Sequence, residues 1–146
     1  MKKLSLIGLV VCWALAGCAP LGTGPRSQPK PIEPLDLTNA NFGDYPKKHE
    51  ETIKAWALQN LKDPDSARFG RFSKPRKEYL YENSKPVYGY SVCAEINAKN
   101  SYGGYTGSQT YWFLIRNESI QRAQNTTTGL KRMISLDHFV NCEDGN

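Results

Sequence analysis

The chain predicts an α+β fold: one amphipathic helix at the domain's N-terminal end, packed on a four- or five-stranded antiparallel meander with one disulfide. Three observations carry this. Ile53, Trp56, Ala57 and Leu61 recur at three- and four-residue steps, which makes one apolar stripe along a helix. Tyr88, Tyr90, Val92, Ala94 and Ile96 alternate with Gly89, Ser91, Cys93, Glu95 and Asn97, the period of a strand. Tyr111 to Arg116 is apolar on both faces, as a central strand must be.

The chain of 146 residues starts with a different kind of segment. Lys2 and Lys3 precede an apolar run, Leu4–Leu15, of 12 residues. A helix of that length is too short to cross a hydrocarbon core of about 30 Å. Small residues then lead into a cysteine, Leu15-Ala16-Gly17-Cys18. This resembles the lipobox of bacterial lipoproteins. The resemblance implies that residues 1–17 are a signal peptide and that Cys18 carries the lipid, with palmitate-type acyl chains. Ala19 is not acidic, which by the same family's sorting pattern implies the outer membrane, with the domain facing the periplasm.

Cleavage before Cys18 leaves 129 residues, enough for one small domain and a tether. The formal net charge of +5 falls to +3 without Lys2 and Lys3. That is mildly basic, and no lysine/arginine run marks a nucleic-acid partner. The mean hydropathy of −0.58 leaves no room for a second membrane segment. Residues 18–44 read as a tether, because Pro20, Pro25, Pro29, Pro31 and Pro34 recur among glycines and polar residues. A flexible coil of this length spans roughly 28 Å and reaches at most about 90 Å. Residues 45–146 form the domain.

The helix is expected to start near Asp44-Tyr45-Pro46, with Asp44 as cap, Pro46 in the first turn and Glu50 and Glu51 at the positive end. His49 reads as a solvated surface residue. Asp63-Pro64-Asp65-Ser66 ends the helix through local side-chain bonding and the proline. Ala67 to Phe72 is the first strand, with Phe69 inward. Lys77–Glu82 and Val87–Asn97 form a hairpin joined through Asn83-Ser84-Lys85-Pro86. A loop follows over Ala98–Gly107. After the strand at 111–116, Asn117-Glu118 turns into Ser119–Gln124. Leu136–Cys142 is a short element of open type.

The four cysteines sort by position. Cys12 leaves with the signal, Cys18 takes lipid, and Cys93 and Cys142 remain as a pair in an oxidising compartment. No CxxC spacing suggests a redox or metal pair, so a structural disulfide is expected. It would contribute about 4 kcal/mol through loop-closure entropy.

Two stretches are similar, together, to a set of small exported bacterial domains of uncharacterised function: Asp63-Pro64-Asp65-Ser66-Ala67-Arg68-Phe69, and Val92 through Gly107 with its core Asn97-Ala98-Lys99-Asn100-Ser101-Tyr102-Gly103-Gly104-Tyr105-Thr106-Gly107. The resemblance covers roughly residues 47–116 and implies no activity. Physically, Gly103, Gly104 and Gly107 allow unusual backbone, Asn97 and Asn100 can satisfy loop backbone groups, and Tyr102, Tyr105 and Lys99 offer two amphipathic rings and a cation. The loop therefore reads either as a recognition loop or as a tight hairpin holding itself together.

For chemistry, Glu95, Asp137 and His138 are the only acid/base candidates. Asp137 and His138 are neighbours whose side chains diverge in any regular element. No G-x-S-x-G, HExxH or phosphate-cradling glycine loop is present. Two histidines and a bridged cysteine pair make a poor metal set. The expectation is no catalytic residue, no metal and no cofactor. The favoured function is a lipoprotein binding or structural domain, its partner an envelope protein or peptidoglycan. The alternatives are a small inhibitor or immunity-type lipoprotein presenting the tyrosine–glycine loop to an enzyme, and a hydrolase using Glu95.

Overall fold

The computed structural model describes residue 35 and residues 37–127, 133–135 and 138–145. The signal segment, Cys18, Ala19, the tether up to residue 34, Leu136 and Asp137 lie outside the described residues. Residues 36–146 form one compact unit. Its elements run α1 (His49–Asn60), β1 (Asp63–Phe72), β2 (Arg76–Glu82), β3 (Lys85–Lys99), β4 (Gln109–Arg116), β5 (Ser119–Asn125), β6 (Met133–Ser135) and β7 (His138–Phe139). No helix among the described residues is long and apolar enough to cross a membrane.

The main sheet has five strands in the order β1-β3-β4-β5, with β2 also paired to β3, all antiparallel. It is not the simple meander expected. β2 pairs with residues 85–91 of β3, and β1 pairs with residues 94–99 on the same strand. The 15-residue β3 is long because it carries β2, β1 and β4.

Both faces of β3 and β4 are buried, by different covers. Val92, Ala94, Ile96, Phe113 and Ile115 pack on Ile53 of α1, with Trp56, Leu61, Phe69 and Phe72 around them. The Trp56 ring meets Phe113 edge-on at 5.0 Å. Phe69 and Phe72 both reach this face although three residues apart, because the β1–β3 register slips between them. The opposite face buries Leu80, Cys93, Trp112 and Leu114 under Ile134, with Val140 and Cys142 alongside. The Cys93–Cys142 disulfide closes this second cover over a separation of 49 residues.

Several boundaries differ from expectation. The helix starts at His49 rather than near Asp44, and no side chain caps it. Asp44 instead donates its backbone N–H to Asn117 Oδ1 at 3.0 Å, so the segment before α1 is spent on the β4–β5 turn. His49 is half-buried, with Nδ1 at 3.0 Å from the Pro46 carbonyl, and is not a free surface residue. Phe42, placed in the tether by composition, is buried beside Tyr88 at 5.4 Å. The packed unit therefore takes in the end of the tether.

The hairpin connection is two residues, not four. Asn83 and Ser84 both hold positive φ, at 49° and 62°, the tight turn that suits the twist of a β-hairpin. Lys85 and Pro86 belong to β3, opposite Glu82 and Tyr81. Asn117 and Glu118 repeat the device between β4 and β5, at 49° and 57°. Asp63–Ser66, expected as a helix stop, is already β1, irregular in register between Asp63 and Arg68. The C-terminal element of open type contains β7, which pairs with β6 as a two-stranded ribbon.

Candidate functional site

Residues 63–69 and the stretch from Val92 to Gly107 converge on one end of the sheet. Asp63 stands opposite Lys99, and Arg68 opposite Asn97, across the β1–β3 pairing. Ser66 stitches the join. Its Oγ donates to the Asp63 carbonyl at 2.8 Å and accepts the Lys99 N–H at 2.9 Å. Asp63 Oδ1 accepts the Ser66 N–H at 3.3 Å. The small polar residues read as a helix stop are thus the clamp that sets where β3 ends and the loop begins.

Beyond Lys99 a bridge to Tyr105 closes the loop neck. Asn100 organises what lies inside. Its Oδ1 accepts the N–H groups of Tyr102 at 2.9 Å and Gly104 at 3.2 Å. Its backbone N–H donates to the Gly104 carbonyl, and its carbonyl accepts from Gly103. Gly103 and Gly107 hold positive φ, at 80° and 86°, and a Cβ at either would meet nothing within 4 Å. Conformation, not space, calls for glycine there. Gly104 does not share that φ; its role is the N–H given to Asn100. Asn97 is not a loop residue at all. It lies within β3, half-buried, with Oδ1 enclosed and without a hydrogen-bond partner.

The tyrosines are presented differently. Tyr102 is 96% exposed and stands at the tip. Tyr105 is 41% exposed, with the Arg68 guanidinium 4.4 Å and the Lys99 ammonium 5.6 Å from its ring centre. Both cations fall within the range at which an aromatic face attracts them, worth about 0.5–1 kcal/mol at exposed sites. Arg68 was not singled out from sequence. Its neighbour is 37 positions away in the chain, and only the β1–β3 pairing brings the two together.

No protein-family model, no curated protein and no solved structure matches this chain. What the site can do rests on its own geometry.

Beside the loop neck a cavity of about 190 Å³ opens where the end of α1 meets β3 and β4. Leu61, Ile96 and Ala98 give it an apolar floor. Lys62, Lys99, Asn100 and Gln109 bring polar groups to its wall. The lining includes no acidic side chain.

Of the acid/base candidates, Asp137 lies outside the described residues, and Glu95 and His138 do not meet. Glu95 is exposed on β3 opposite Thr110, beside Gly70, whose missing Cβ leaves room for the carboxylate. His138 lies elsewhere, under the second face, with Nε2 at 3.0 Å from Glu78 Oε1. Glu78 is buried, and its other oxygen pairs with Arg76 at 3.0 Å, while Oε1 also accepts the Tyr79 N–H. Of these partners, Arg76 and Tyr79 lie on β2 itself, and the His138 contact alone ties β7 to β2, the arrangement of a structural ion pair. Sequence reasoning missed Glu78, whose one signal was a charged residue in phase with Leu80. Among the described residues no three His, Cys, Asp or Glu side chains cluster as a metal would require.

Proposed function

We propose that this chain is a lipid-anchored protein of the bacterial outer membrane whose domain is a binding module facing the periplasm. Cys18 is the lipid attachment point, and the loop around Tyr102 and Tyr105 is the contact surface. One observation carries the binding reading: a fully exposed tyrosine is held out on a loop whose backbone is tied down by Asn100. Pre-organising an exposed aromatic removes ordering cost from association, and tyrosine is among the residues that dominate interface energies. The cations beside Tyr105 give the surface a preference for acidic or carboxylate-bearing partners.

The test is a double substitution, Tyr102→Ala with Tyr105→Ala, read two ways. Melting should fall only slightly, since neither ring is buried. Capture of the wild-type crosslinked partner in living cells should drop tenfold or more, as loss of even one anchor of about 2 kcal/mol requires. Unchanged capture, or a collapse of stability like the 3–5 kcal/mol of a buried aromatic truncation, would remove the loop from the binding surface.

A further inference from the structure

We draw no further inference here: the strongest candidate, the half-buried aromatic face that Tyr79, Tyr81 and Tyr88 form where the β2–β3 hairpin runs past the end of β4, carries none, because nothing in the structure shows what covers it.

Discussion

Asn100 shows how one side chain decides what kind of loop this is. Five residues from Asn100 to Gly104 reverse the chain, and two of their N–H groups have no partner except the Asn100 oxygen. In Asn100→Ala those groups turn to water, which is close by, so the cost to global stability should be small, about 1 kcal/mol. The local cost should be larger. Amide exchange at Tyr102 and Gly104 should accelerate at least tenfold while exchange at Val92 and Phe113 stays put. If both sets accelerate together, the loop is part of the cooperative core and not a separately ordered platform. The same residue shows what sequence can reveal. Asparagine a few residues ahead of a glycine pair suggests a locally bonded turn, and Asn100 forms one. Asn97 carried the same signal and lies in a strand, because residue type alone does not say where the β1 clamp ends the ladder. Arg68 gave no signal, since its partner ring is distant in sequence.

At the scale of elements, the strands were legible where hydrophobic period and burial agree. Val92, Ala94 and Ile96 face the helix as their alternation says, and Trp112 and Leu114 face away from Phe113 and Ile115. The turns were less legible because Asn-Ser and Asn-Glu take positive φ without a glycine to announce it. The second cover was the least legible. Ile134 and Val140 lack a periodic pattern of their own, and what brings them over the sheet is the disulfide together with the Glu78–His138 contact. Asp144 adds an outer tie. The Lys74 backbone N–H, with Arg71 beside it, holds its carboxyl below the usual carboxylate range. Reduction should therefore act on this cover first. Losing loop-closure entropy over 49 residues costs about 4 kcal/mol, which for a domain this small lowers the melting temperature by roughly 15 °C or more. Emission from Trp112, now fully enclosed, should shift to the red as its cover loosens. A reduced protein that melts at the same temperature would show that the packing of Ile134 and the Glu78 contacts suffice without the bond.

For the whole molecule, the proposed lipid anchor and the proposed binding surface have a physical reason to occur together. A module that binds through one exposed loop would have little area with which to build affinity, and weak contacts gain most from confinement. Anchoring at Cys18 would hold the domain within tens of ångströms of the membrane, at an effective concentration far above its free periplasmic level. The anchor and the site would then act as one device, and capture in cells should need both. On the proposed anchor, Cys18→Ala removes the thiol that would accept the acyl chains. Mass measurement of the envelope protein should show the mature chain with lipid beginning at Cys18, and the variant should lack that mass and remain as uncut precursor. A signal-swapped variant, exported soluble with Cys18 replaced, should fold and melt like the wild-type domain. In cells at native expression, however, its crosslinked partner should fall to near background, and overexpression should restore it. Capture by the soluble form at native levels would mean that the domain's own affinity suffices and that the lipid serves only as an address. Normal processing and membrane fractionation of Cys18→Ala would be more damaging, because the chain would then reach its place by some route other than this cysteine.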